Sequence, residues 1–141
     1  MVLDICSLIH SCPMPLIAHL EDSEPFAEVL RLVLAEQEIM VAWYPNKADF
    51  LRHPEHPIPE LIITDIHSPE MGGIEFLYWK SLIERLANVP VVVCSGCPDD
   101  ETRREAMNFG AAVWIEKPCE FRRLAAEAMR LLGEREQMKK E

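Results

Sequence analysis

The sequence predicts a doubly wound α/β fold, with a five-stranded parallel sheet in the order 2-1-3-4-5 and five helices. Two observations carry this. Short apolar runs alternate with helical patterns along most of the 141 residues, as in a parallel sheet covered on both faces. Four of those runs stop at residues with chemistry to offer, in the order acid pair, acid, hydroxyl, lysine. Right-handed crossovers in that strand order bring the ends of strands one and three together at the topological switch point.

The elements follow in order. Strand one is Leu16 to Leu20, and helix one runs from about Glu24 through Glu36, with Phe26, Val29, Leu30, Val33 and Leu34 on its inner face. Strand two is Ile39 to Trp43. A short helix from Lys47 to Arg52 precedes the loop His53 to Glu60, whose prolines cannot continue a helix. Strand three leads to Asp65, and helix three spans Gly73 to Ala87. Strand four is Val91 to Cys94, and helix four begins near Asp99 or Asp100 and stops before Gly110. Strand five lies in Ala112-Val-Trp114-Ile-Glu-Lys117, and helix five runs from Glu120 to about Leu132.

Each strand end has an ordinary explanation when taken alone. Asp65 can simply start a turn, and Asp22 or Ser23 can cap a helix. Ser95-Gly96 can be a strand running into a turn, and Lys117-Pro118 a solvated lysine on a loop. Jointly the four are specific. Residues from about Pro15 to Leu132 resemble the receiver domain of two-component response regulators, a chemotaxis-type, flavodoxin-like fold. Glu21 and Asp22 match the family's acidic pair, Asp65 its phosphoacceptor, Ser95 its Ser/Thr position, Trp114 its switch aromatic and Lys117, followed by Pro118, its lysine. The stretch Asp65-x-x-x-Pro69-x-Met71-x-Gly73 fits the loop after the acceptor.

Three crowded carboxylates, Glu21, Asp22 and Asp65, repel one another until a hard divalent cation accepts their oxygens. A weak Mg2+ site is therefore expected, with the main-chain carbonyl of His67 as a further ligand by resemblance. The resemblance implies that Asp65 takes a phosphoryl group from a sensor histidine kinase or histidine phosphotransfer protein, with Lys117 and the cation neutralising the transferring oxygens. Ser95 and Trp114 then switch the surface of helix four, strand five and helix five toward a downstream protein target, with a second copy of the chain as another candidate partner. The expected product is a signalling state of a phosphoprotein, and the chain is not expected to be an enzyme in the usual sense.

Composition bounds the alternatives. With 49% hydrophobic residues the chain can bury one core, and no apolar run approaches a membrane span. A net charge of −10 argues against direct nucleic-acid binding, which needs clustered Lys and Arg. No basic, signal-like start precedes the domain, so a reducing cytoplasm is expected. Residues 1–14 form an amino-terminal extension whose apolar positions fit a short amphipathic helix or a disordered leader, and 133–141 form a charged carboxyl-terminal tail extending helix five.

Departures from the family pattern are informative. Trp114 is bulkier than the usual Tyr or Phe, with Gly96 offering room, and could instead be a fixed core aromatic. Cys119 replaces an apolar aromatic. His67 could influence phosphoryl lifetime or have no role, and His19 reads as a neutral core histidine. Cys94-Ser-Gly-Cys97 has redox spacing but a strand context; Cys97 and Cys119 on loops at the catalytic edge are a candidate thiol pair. The second reading is a phosphorylation-independent receiver-like interaction module. A haloacid-dehalogenase-type phosphatase expects an acid where His67 stands, and a flavin protein would meet negative charge at Glu21-Asp22-Ser23-Glu24.

Overall fold

The computed structural model describes residues 14–68, 70–96 and 99–140, and the side chains of all of these except Lys139 and Lys140. The amino-terminal extension up to Pro13, and Cys97, lie outside the described residues. Five strands, β1 (Leu16–Leu20), β2 (Met40–Tyr44), β3 (Leu61–Thr64), β4 (Val91–Ser95) and β5 (Val113–Glu116), form one parallel sheet in the order β2-β1-β3-β4-β5. The described helices are α1 (Glu24–Ala35), α2 (Lys47–Arg52), α3 (Gly73–Leu82), α4 (Glu84–Ala87), α5 (Asp100–Asn108) and α6 (Phe121–Lys140).

The period of two along each strand divides the core between the two faces. On one face Ile17, Ile63, Val92, Cys94 and Ile115 meet Leu30 and Leu34 of α1 and Leu124 and Ala128 of α6. On the other, Ala18, Leu20, Ile62, Val91, Val93 and Trp114 meet Phe50, Phe76, Leu77, Leu86 and Ala106 from α2 to α5. All four residues of β3 and all five of β4 are buried, which is why those runs read as continuously apolar rather than alternating.

The structure corrects three details. The single helix expected over Gly73 to Ala87 is two, because Ile83 leaves the helical region (φ −96°, ψ 110°) while its side chain packs against the core. Among the described residues six helices therefore replace five. Val29 faces solvent at 42% exposure, and Ala27 takes the inner position beside Leu30 and Leu34. Strand two is shifted by one residue, to Met40–Tyr44, with Glu38 at φ 60° making the turn before it. The last helix, α6, continues through Gly133 to Lys140, and Arg135 Nη1 donates to Glu60 O at 3.3 Å and Asn88 O at 3.4 Å, tying the extension to the sheet's amino edge.

His19 sits on β1 opposite Trp43 and Ile63, almost fully buried, its ring 5.9 Å from that of Phe26. Burial first, and the Lys117 charge second, hold its pKa down at about 3, so the ring is neutral in the folded protein. An unfolded His takes up a proton near 6.5, whereas the folded one does not until about 3. Stability is therefore lost as pH falls below the unfolded value, at about 1.4 kcal/mol per pH unit at most. Between pH 6.5 and 5 this amounts to about 2 kcal/mol, a loss that His19→Val is expected to remove from the urea midpoint measured at the two pH values. An unchanged loss in the variant would exonerate the histidine.

Candidate functional site

The carboxyl ends of β1 and β3 are neighbours in the sheet, so the residues just beyond them share one edge. The Asp65 amide donates to Leu20 O at 3.4 Å and the Glu21 amide to Tyr44 O at 3.2 Å, carrying the strand ladder to the acids themselves. Trp43 Nε1 holds the Glu21 carbonyl at 2.6 Å. Ser23 is the residue that caps α1, accepting from the Phe26 amide, so Asp22 is left on the cleft side of the turn. One carboxylate oxygen from each of Glu21, Asp22 and Asp65 lies within 4.8 Å of the others.

The hydroxyl and the lysine close the same cleft. The Lys117 amide donates to Ser95 O at 2.8 Å, which locks the ends of β4 and β5 together, and the Lys117–Pro118 peptide is cis. Lys117 Nζ reaches back to Glu21 Oε2 at 3.1 Å and lies 4.2 Å from the centre of the Phe26 ring. Glu21, Asp22, Asp65, His67, Ser95, Gly96 and Lys117 together line an open cleft of about 450 Å³. Burial raises the pKa of Glu21, opposed by the charge and hydrogen bond of Lys117.

Such a donor set fits a hard cation. Every side-chain donor is a carboxylate oxygen, Asp22 is exposed so that water can complete a coordination shell, and Asp65 and Glu21 are 6% and 4% exposed on rigid strand ends. His67, whose main-chain carbonyl is the further ligand expected by resemblance, is exposed at the cleft rim.

Trp114 is buried in the core face that carries α2 to α5, and its Nε1 has no hydrogen-bond partner among the described residues. Among the described residues Cys119 Sγ lies 3.7 Å from Cys94 Sγ, and the Cys94 thiol is pushed up to about 12 by burial and by Cys119.

One residue of the site escaped the sequence reading. Lys47, the first residue of α2, is 1% exposed and turns inward. Its Nζ donates to Asp65 Oδ1 at 2.6 Å and to Ser68 Oγ, while Ser68 Oγ also donates to Asp65 Oδ1 at 3.1 Å. Its main-chain amide donates to Glu70 Oε1 at 2.9 Å. A charged residue in the first turn of a short helix reads as solvated, and only the parallel pairing of β2 beside β1 brings that turn over the acceptor.

An acidic cleft with a flanking hydroxyl and lysine, at the switch point of a five-stranded 2-1-3-4-5 sheet, is the arrangement of an α/β receiver-type signalling domain. The chain belongs to the response regulator receiver domain family, whose sequence profile matches residues 17–129. It is 31% identical over 100 residues to the transcriptional regulatory protein FixJ of Rhizobium meliloti, covering 71% of this chain and 48% of FixJ. To the regulatory protein LuxO of Vibrio cholerae it is 31% identical over 104 residues, covering 74% of this chain and 22% of LuxO. The chain thus spans half or less of these relatives. Among solved structures, the signal receiver domain of a histidine kinase from Syntrophus aciditrophicus is 30% identical with a TM-score of 0.76, over 84% of this chain and 90% of that one. A CheY-like receiver from Methanospirillum hungatei, at 22% identity and a TM-score of 0.79 over 89% and 98%, shares the fold. Receiver domains are signalling domains, and no described helix is long and apolar enough to cross a membrane.

Proposed function

We propose that this chain is a working phosphoacceptor of a two-component phosphorelay, with Asp65 as the residue modified. The observation that supports this most is the convergence of Glu21, Asp22 and Asp65 within 4.8 Å in a cleft that also holds Ser95 and Lys117.

An Asp65 carboxylate oxygen attacks phosphorus on a partner phosphohistidine; the P–O bond forms, the P–N bond breaks, and the imidazole leaves with its electron pair and takes a proton. Lys117 lies in the same cleft and turns from Glu21 to the transferring oxygens. Glu21, Asp22, Asp65 and the His67 carbonyl would hold Mg2+, which would offset the charge that builds on those oxygens. The receiver domain of a sensor histidine kinase from Pseudomonas aeruginosa, 18% identical, has magnesium coordinated in its active-site cleft, which supports a cation in the corresponding cleft here.

The acyl phosphate replaces one carboxylate by a group carrying close to two negative charges and strong acceptors, which draw in the Ser95 hydroxyl and nearby amides. Ser95 lies on β4 beside Glu116 of β5, so its movement is felt along the strand carrying Trp114 and at the α5, β5 and α6 surface. That surface then binds a downstream protein, in the cytoplasm where the kinase domain works. Intact mass after incubation with a small-molecule phosphodonor and Mg2+ tests the reading. One added phosphoryl group is expected, dependent on Mg2+ and missing in Asp65→Asn.

A second reading, a phosphorylation-independent interaction module, draws on two observations: Trp114 is already buried, and Asp65 is already paired with Lys47. Absence of any adduct in the wild type would favour it.

A further inference from the structure

Asp65 and Lys47 form a buried ion pair, with side-chain exposures of 8% and 2%, on the side of the acceptor facing α2. Lys117 engages Glu21 at 3.1 Å, so two ammonium groups, one in the cleft and one behind Asp65, pair with two different carboxylates of the cleft. Three carboxylates against two ammoniums leave the resting cleft with one net negative charge. Without Lys47 it would carry two, the charge a divalent cation neutralises.

We propose that Lys47 is the resident counter-ion of the phosphoacceptor, holding the Asp65 carboxylate in place of a metal and keeping the cleft's affinity for Mg2+ low until a phosphoryl group arrives. The inference rests on the Mg2+ site proposed above and adds a residue to it. Its physics is competition at one carboxylate. The Lys47 ammonium occupies Asp65 Oδ1 at 2.6 Å, and a cation entering among Glu21, Asp22 and Asp65 must either share that carboxylate with it or displace it. In a partly buried site, repulsion between the ammonium and a divalent ion a few ångströms away is large compared with thermal energy.

The lysine cannot simply leave. Its stem is buried, its main-chain amide is held by Glu70, and Ser68 binds both Nζ and the acceptor, so the ammonium stays near Asp65 when other groups bind. A dianionic phosphoryl group reverses the balance, because it brings more negative charge than the carboxylate it consumes. Two ammoniums and a divalent cation then have a matching load. Lys47 thereby ties metal retention to phosphoryl occupancy and tethers the first turn of α2 to the state of the acceptor.

The test is Mg2+ titration of the folded protein by calorimetry, checked against the Mg2+-induced shift in melting temperature, without any phosphodonor. Lys47→Met matches the stem and deletes the charge. Lys47→Gln keeps a donor and also deletes the charge, and serves if the methionine variant does not fold. Lys47→Arg retains the charge. Removing the charge is expected to tighten Mg2+ binding at least about tenfold, a change of about 1.4 kcal/mol, with a larger melting shift than in the wild type. Lys47→Arg is expected to bind like the wild type. A merely structural lysine would weaken binding or folding when replaced, and could not strengthen the metal site. Wild-type binding with equal or weaker affinity in both neutral variants overturns the counter-ion and leaves the phosphoacceptor reading standing. Absence of Mg2+ binding in wild type and variants alike overturns the metal site and the counter-ion together.

Discussion

Lys117→Met is expected to slow phosphoryl uptake by Asp65 about a hundredfold, the usual order for removing one charged group aimed at a developing phosphoryl charge. The reason lies in what each lysine touches. Lys47 is committed to Asp65 and Ser68 on the α2 side, whereas Lys117 rests on Glu21, one carboxylate away, and its half-buried stem leaves its head at the cleft surface. Only Lys117 is placed to turn toward an incoming group. A second consequence follows at Glu21. Burial raises its pKa and Lys117 is the chief influence lowering it, so without the lysine the carboxyl holds its proton to higher pH. Protonated Glu21 is a poorer cation ligand. Mg2+ affinity in Lys117→Met should therefore fall off at higher pH than in the wild type. Single-turnover uptake from a phosphodonor, followed by intact mass, reads the rate; an unchanged rate would remove Lys117 from the transfer.

The second large effect is structural and is set by Gly73. A Cβ at this position would stand 2.5 Å from Ile66 Cδ1, 2.8 Å from Ile66 Cα and 3.0 Å from Asp65 O. Two of these three atoms are backbone, and the contact is tight because the Gly73 amide donates to Ile66 O at 2.7 Å as the chain turns from β3 into α3. Gly73→Ala must push the acceptor loop off the helix start, at a cost of about 2–3 kcal/mol. The melting temperature should drop by several degrees or more, and Mg2+ binding should weaken because Asp65 moves. Gly133→Ala is the control. It lies inside α6 with nothing within 4 Å of the added carbon, so the same methyl should stabilise by about 1 kcal/mol through helix propensity. Thermal melts of the two variants should move in opposite directions, and a shared sign would refute the packing account.

The sheet was legible because its inner strands are buried on both faces and so carry unbroken apolar runs, as in Leu61-Ile-Ile-Thr and Val91-Val-Val-Cys. The strand-end chemistry was legible for a related reason: in a parallel sheet one edge collects every strand's carboxyl end, so Glu21, Asp65, Ser95 and Lys117 can be placed together without side-chain geometry. Features decided by tertiary contact were not. The break at Ile83 follows from its side chain reaching the core, and Val29 and Ala27 exchange roles through the angle at which α1 meets the sheet. The anchoring of the α6 extension, through Arg135 to carbonyls at Glu60 and Asn88, likewise joins residues far away in sequence. Lys47 was hidden most completely, since a lysine beginning a six-residue helix looks solvated until β2 is seen to pair with β1.

Whether Asp65 itself receives the phosphoryl group is read by borohydride trapping. Protein treated with phosphodonor and Mg2+, then reduced, should yield homoserine at residue 65 and nowhere else when its peptides are mapped by mass spectrometry. Reduction product at another carboxylate, or none in protein shown to be folded and to bind Mg2+, would contradict the account.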